Sequence, residues 1–98
     1  MKIVIGQGHP DFLDLPWDVP LAEWKHERIV KMAHGISRHV VRFVRFDDRV
    51  YALKATGIDA AQKEYRILRS MRDDHLPVVE PVGVVSDAPE PGDAVLIL

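Results

Sequence analysis

The sequence predicts an α+β fold in which a five-stranded antiparallel sheet packs against one main helix, preceded by an N-terminal arm. Two observations predict this class. Short apolar runs that alternate with polar residues are separated by turn-forming Gly, Asp and Pro, which is typical of antiparallel strands. One longer segment instead carries its apolar side chains at helical spacing. With 98 residues, 47% of them hydrophobic, the chain is large enough for one small domain with a single core.

The arm comprises residues 1–28. Residues 2–5 form an alternating apolar run that predicts a short strand, and the Gly-, Pro- and Asp-rich residues 6–20 predict a series of turns. Pro20 suits the first position of a short helix, because its φ angle is compatible with a helix and its missing N–H is not needed there. Large apolar side chains such as Phe12 predict that the arm packs on the rest of the domain.

Residues 29–98 predict three strands, one helix and two further strands, in that order. The predicted strands cover residues 29–33, 40–46, 49–55, 82–85 and 94–98. The predicted helix covers residues 59–71, with Asp59 as its N-cap and Gln62 reaching back as in a capping box.

Lys54 and Glu64 stand out within these elements. Alternation along the third strand places Val50, Ala52 and Lys54 on one face. Helical spacing places Glu64 among apolar residues: Ala60, Ile67, Leu68 and Met71, with Ala61 and Tyr65 at the flanks. A carboxylate on a buried face requires a cation or hydrogen bonds, and Lys54 is the natural partner. Alternatively, Glu64 lies at the edge of the apolar stripe and reaches water, while Lys54 only ends an exposed strand.

This lysine and glutamate, in this order of elements, resemble the small lobe of a protein kinase over residues 29–98. The superfamily includes lipopolysaccharide kinases and related small-molecule kinases. The whole chain, arm included, looks like the N-terminal part of an actinobacterial family described as lipopolysaccharide kinase-like. The resemblance implies that Lys54 binds the α- and β-phosphates of a nucleotide, that Glu64 holds Lys54 in place, and that Ala52 touches the adenine.

The turn between the first two predicted strands matches the kinase pattern in part. Residues 33–40 align with Gly-x-Gly-x-x-Gly-x-Val, and only Gly35 and Val40 agree with it. The resemblance implies that both contribute to nucleotide binding, Gly35 by letting the backbone approach the phosphates. Arg38 replaces the third glycine, and its position predicts a positive charge near the phosphates. The short interval between Lys54 and Glu64 indicates a compact, atypical member and argues against eukaryotic-type protein kinase activity.

The resemblance implies the N-terminal lobe of an ATP-dependent phosphotransferase whose acceptor is a sugar, a lipopolysaccharide or another small molecule. The predicted last strand ends the chain where the hinge to a catalytic lobe would begin, so the catalytic and metal-binding residues are expected in a missing C-terminal lobe. The full-length protein is then expected to bind ATP with Mg²⁺. The 98-residue chain alone is expected to be inactive and to bind nucleotide weakly. The alternative is a non-catalytic kinase-like binding or regulatory module.

Charge and composition exclude other classes. Residues 25–54 hold eight basic and three acidic side chains, a net charge of +5 that either attracts phosphate groups or is a solvated strand face. The acidic flanks disfavour nucleic acid as a partner.

The five histidines lack the spacing of metal ligands. Residues 3–8 resemble the start of a dinucleotide-binding turn, but the third glycine is missing and prolines follow. The lack of cysteine, of a signal peptide and of a membrane-length apolar run predicts a cytoplasmic protein.

Overall fold

Six strands form one antiparallel sheet in a computed structural model that describes residues 1–31 and 39–98. The strands are β1 (Lys2–Ile5), β2 (Ile29–Val30), β3 (Val41–Phe46), β4 (Arg49–Gly57), β5 (Gly83–Ser86) and β6 (Asp93–Ile97). The main helix is α1 (Ile58–Asp73), and a short 3₁₀ helix spans Leu21–Glu23. The order across the sheet is β1-β5-β6-β4-β3-β2. The predicted α+β class with one main helix is confirmed.

The prediction of five strands is corrected to six, because the strand of the arm joins the sheet. Residue Lys2 of β1 pairs with Ser86 of β5, and Ile5 pairs with Gly83. Without β1, the backbone N–H and C=O groups along that edge of β5 would lack partners. The chain approaches closely here, since a Cβ atom on Gly83 would clash with the carbonyl oxygen of Val4. Glycine at position 83 therefore lets the arm strand dock.

The helix begins one residue earlier than predicted and without the predicted cap. Strand β4 continues to Gly57, which pairs with Asp93 of β6 and is itself the N-cap of α1. No side chain makes a capping hydrogen bond, so the Asp59 cap and the Gln62 capping box are not formed. Asp59 lies instead in the first turn, where its charge is favourable beside the positive end of the helix dipole. The longer pairing of β4 with β6 moves the start of the helix.

The two faces of the sheet are covered by different parts of the chain. On the helix-covered face, Ala61 of α1 packs against Val84, Ala94 and Leu96. On the arm-covered face, five apolar side chains of the arm pack on strand residues such as Val44, Leu53 and Ile97. These arm residues are Phe12, Leu15, Trp17, Leu21 and Trp24. The arm therefore supplies one whole side of the larger core.

Polar contacts hold the arm in this position. The indole N–H of Trp17 donates to the carbonyl oxygen of Phe12 at 2.8 Å, and that of Trp24 donates to Val19 at 2.7 Å. The guanidinium of Arg42 on β3 donates to the carbonyl oxygens of Leu21 at 3.1 Å, Ala22 at 3.3 Å and Trp24 at 3.4 Å. One side chain of the sheet thus satisfies carbonyl groups at the C-terminal end of the short helix.

Within residues 1–31 and 39–98, no helix has both the length and the apolar character that a membrane span requires.

Candidate functional site

Lys54 lies on the helix-covered face of the sheet. It is opposite Val41 of β3 on one side and Leu96 of β6 on the other, and Leu96 packs in the same cluster as Ala61 of α1. Because successive residues of a strand point to opposite faces, Ala52 shares this face with Lys54. The alternation predicted from the sequence is therefore present in β4.

Glu64 of α1 approaches Lys54 from above the sheet. The Lys54 ammonium nitrogen lies 3.2 Å from one Glu64 carboxylate oxygen and 3.3 Å from the other, as a hydrogen-bonded ion pair. The side chains are 27% and 41% exposed, so water screens the pair in part. A pair with this exposure contributes up to about 1 kcal/mol to stability. Its main effect is to hold the ammonium in one place.

The face that α1 turns to the sheet differs from the predicted stripe. Ala61, expected at the flank, is fully buried, and Tyr65 and Leu68 are half-buried. Ala60 is exposed and Ile67 is 49% exposed, although both were expected on the buried side. The packed stripe is rotated because the small Ala61 permits the closest approach to the sheet. Glu64 consequently lies at the edge of the stripe, as the alternative interpretation held, and yet is paired with Lys54.

Ala52 lines a cavity of about 880 Å³ at the end of the sheet, where β4 extends past the last residue of the chain. Ala52 exchanges backbone hydrogen bonds with Leu98 at 3.0 and 2.9 Å, and residues 49–51 continue beyond this pairing. Apolar side chains dominate the wall nearest Ala52: Phe43, Val50, Val79, Val82 and Leu98. This wall suits a flat, apolar group.

Polar residues of this cavity come from the arm, from β4 and from the segment between α1 and β5. The ring nitrogen Nδ1 of His9 lies 3.2 Å from the Tyr51 hydroxyl oxygen, and Nε2 lies 3.7 Å from the nearer Glu80 carboxylate oxygen. The Arg49 guanidinium donates to the carbonyl oxygen of Gly8 at 3.3 Å. Interaction with the Tyr51 phenol, first by hydrogen bonding and then by charge, raises the pKa of Arg49 above its usual value.

The sequence patterns predicted no functional role for His9, Tyr51 or Glu80. His9 and Tyr51 are 42 residues apart, so no local periodicity connects them. The available signal was the pair of glycines around Gln7, which was considered only as part of a dinucleotide-binding turn. In the structure Gly8 has a φ of 86°, a conformation that glycine adopts without strain, and it turns the chain toward the cavity.

Val40 is a further predicted nucleotide contact, and the structure places it apart from Lys54. Val40 lines a separate cavity of about 420 Å³ with Trp24 and Ala55, whereas Val41 is the residue opposite Lys54. Val40 precedes β3, and its contribution to nucleotide binding stays a prediction. Two other predicted contacts, Gly35 and Arg38, lie outside the described residues.

Over residues 1–31 and 39–98, no three His, Asp or Glu side chains are grouped so that they could hold a metal ion.

Comparisons with known proteins add no family assignment. A scan against protein-family models, a search of curated proteins and a search of solved structures each found no match to this chain. The geometry around Lys54, Glu64 and Ala52 is thus the basis for any functional conclusion.

Proposed function

We propose that this chain is the nucleotide-binding lobe of an ATP-dependent, kinase-like phosphotransferase that acts on a sugar, a lipopolysaccharide or another small-molecule acceptor. One observation carries the proposal. The Lys54 ammonium is held 3.2 Å from Glu64 on the same strand face as Ala52, and Ala52 in turn lines a cavity with an apolar wall.

The pair provides a fixed positive charge for phosphate oxygens. An ammonium has three N–H donors, and the two Glu64 oxygens at 3.2 and 3.3 Å engage at most two of them. A donor is thus left for a phosphate oxygen, and the 27% exposure of Lys54 leaves room to approach it. A charge that is already oriented stabilises a bound triphosphate without the cost of ordering a long side chain.

The neighbouring cavity accounts for the base of the nucleotide. Residues two apart on a strand are separated by about 6.6 Å, so a base over Ala52 places its phosphates farther along β4, toward Lys54. The apolar side chains of Val50, Val82 and Leu98 line the cavity beside Ala52 and provide the apolar wall that a purine requires.

Transfer of the phosphoryl group belongs to a second lobe in this proposal. The described residues offer no Mg²⁺ ligand set, and Lys54 and Glu64 orient phosphates without acting as an acid or base. Mg²⁺ bound with ATP would neutralise charge on the phosphates, and its protein ligands would come from that second lobe. We place the complete protein in the cytoplasm, where ATP is available.

Titration of the ¹⁵N-labelled 98-residue chain with a non-hydrolysable Mg·ATP analogue tests binding. We expect amide shifts that cluster at Ala52, Lys54 and Leu98. The affinity for the analogue should fall at least about tenfold in Lys54→Met, because hydrogen bonds to charged groups contribute about 1.5–3 kcal/mol. Lys63→Met, an exposed lysine on the same helix as Glu64, is the matched control and should bind like the wild type. Equal binding by both variants, or no shift at Ala52, refutes the proposed site.

Turnover separates an enzyme from the alternative binding module. In a full-length protein that contains this chain and the catalytic lobe, Lys54→Met should abolish ATP-dependent transfer while the protein stays folded. Retained activity refutes the role of Lys54. Nucleotide binding without any transfer by the wild type supports a non-catalytic module instead.

A further inference from the structure

A third, smaller cavity lies between the arm strand β1 and helix α1. Its volume is about 200 Å³, and its polar lining comes from Lys2, Gln62, Tyr65, Arg66 and Ser86. Lys2 and Ser86 are direct partners across β1 and β5, so both point to the same face of the sheet. The cavity exists because β1 joins the sheet beside the helix.

The hydroxyl of Ser86 has no partner in the part of the chain that the structure describes. Ser86 is 5% exposed, and among the described residues its hydroxyl makes no hydrogen bond. In the same part of the chain, every polar side-chain atom that is fully buried has a hydrogen-bond partner. The unpaired Ser86 hydroxyl is therefore not fully buried and is open to the cavity. Because it is open to the cavity and makes no bond to the described part of the chain, this hydroxyl is available to donate a hydrogen bond to a ligand there.

The charges around this hydroxyl are all positive. Lys2 and Arg66 line the cavity from two different elements, and no carboxylate lines it. Within residues 1–31 and 39–98, neither cation belongs to an ion pair. The Gln62 amide and the Tyr65 hydroxyl add further hydrogen-bond donors. A group that only accepts hydrogen bonds and carries negative charge complements such a lining.

We propose that this cavity binds a phosphate group, either as free inorganic phosphate or as the phosphate of a small phosphorylated metabolite. The two cations neutralise the oxyanion, and Ser86 and Gln62 donate to its oxygens. The volume of about 200 Å³ accommodates one such group and little more. Arg66 is about 200° around the helix from Glu64, so the site lies on the other side of α1 from Lys54 and does not depend on the proposed function.

Titration of the ¹⁵N-labelled 98-residue chain with sodium phosphate tests the site, against sodium chloride at matched ionic strength. We expect saturable amide shifts at Lys2, Gln62, Arg66 and Ser86 with phosphate only. Binding should weaken about tenfold in Arg66→Ala and roughly threefold in Ser86→Ala, because a charged hydrogen bond contributes more than a neutral one. Far-UV circular dichroism establishes that each variant is folded.

A second titration, with glycerol phosphate, distinguishes the two sources of the group. Tighter binding than that of inorganic phosphate assigns the cavity to a phosphorylated metabolite, and equal or weaker binding assigns it to free phosphate. Lys63→Ala, which removes a cation of α1 that does not line the cavity, is the control and should bind like the wild type. Absence of saturable shifts with both anions, or an equal loss in Lys63→Ala and Arg66→Ala, overturns the proposal.

Discussion

Lys54 at the helix-proximal part of β4 and Glu64 in the second turn of α1 form an ion pair with N···O distances of 3.2 and 3.3 Å. Strand β4 continues directly into helix α1 at Gly57, so no loop lies between Lys54 and Glu64 in the sequence. The pair therefore depends on the angle at which α1 leaves the sheet. That angle is set by Ala61, whose side chain is fully buried against β5 and β6.

A double-mutant cycle measures how strongly Lys54 and Glu64 are coupled. Lys54→Met, Glu64→Gln and the double variant should give a coupling free energy of about 0.5 kcal/mol in urea denaturation, since the pair is partly exposed. The ion pair between the consecutive residues Arg72 and Asp73 is the control. Its N···O distance is 3.6 Å and its side chains are more exposed, so its coupling free energy should be smaller. Zero coupling between Lys54 and Glu64 would mean that the pair does not form in solution.

Arg42→Ala should loosen the arm. Its guanidinium donates to three carbonyl groups of residues 21–24, and their loss should lower the free energy of unfolding by about 1–3 kcal/mol. Thermal denaturation followed by tryptophan fluorescence reports this change, because Trp17 and Trp24 are both buried in the arm.

Arg45→Ala is the matched control for Arg42. It lies on the same strand but faces the other side of the sheet, opposite Val50, and is exposed. A shift below about 0.5 kcal/mol is expected for it. The same loss of stability in both variants would show that the guanidinium contacts of Arg42 do not hold the arm.

Gly83→Ala should displace β1 from the sheet. The added Cβ would meet the backbone oxygen of Val4, which cannot move without breaking the β1–β5 pairing. Amide hydrogen exchange at Val4 and Gly6, whose N–H groups point to β5, should accelerate, and the protein should lose about 1–3 kcal/mol of stability. Gly57→Ala, where nothing lies within 4 Å of the added atom, should leave exchange in β1 unchanged. Unaltered protection of β1 in Gly83→Ala would contradict the close packing.

Phe12→Ala should remove the centre of the arm-covered core. Phe12 is fully buried and packs edge-to-face on Phe46 at 5.0 Å and on Tyr51 at 5.1 Å between ring centroids. Truncating a buried phenylalanine costs about 3–5 kcal/mol, which a small domain barely tolerates. Leu13→Ala, with its side chain 63% exposed, should cost less than about 0.5 kcal/mol in the same chemical denaturation. Similar values for the two would place the arm off the sheet.

Much of the secondary structure and the central pair followed from local spacing. The alternation of Val50, Ala52 and Lys54 depends only on the two-residue repeat of a strand, and it was read from the sequence alone. The position of Glu64 on α1 followed equally from the helical repeat. The contact with Lys54 then needed one further argument, that a partly buried carboxylate requires a cation.

The exact contacts between strands and between the helix and the sheet could not be predicted from the sequence. Val40 was predicted to contribute to nucleotide binding, but which residue of this segment lies opposite Lys54 depends on the register of β3 against β4, and that residue is Val41. The buried face of the helix was predicted to include Ala60, with Ala61 only at its flank, whereas Ala61 packs closely on the sheet and the buried face is rotated accordingly. Both differences were decided by fit between elements that no single segment encodes.

By itself, the sequence determined the α+β class, the faces of β4 and the presence of a lysine and a glutamate suited to pair, because these depend on residues a few positions apart. Only the tertiary structure decided that β1 is the sixth strand, that His9 reaches Tyr51, and that Lys2 and Ser86 line one cavity with Arg66. Such pairings join segments more than 40 residues apart. They form because the edge of β5 and the apolar face of the sheet must be covered, and that requirement arises only when the whole chain is folded.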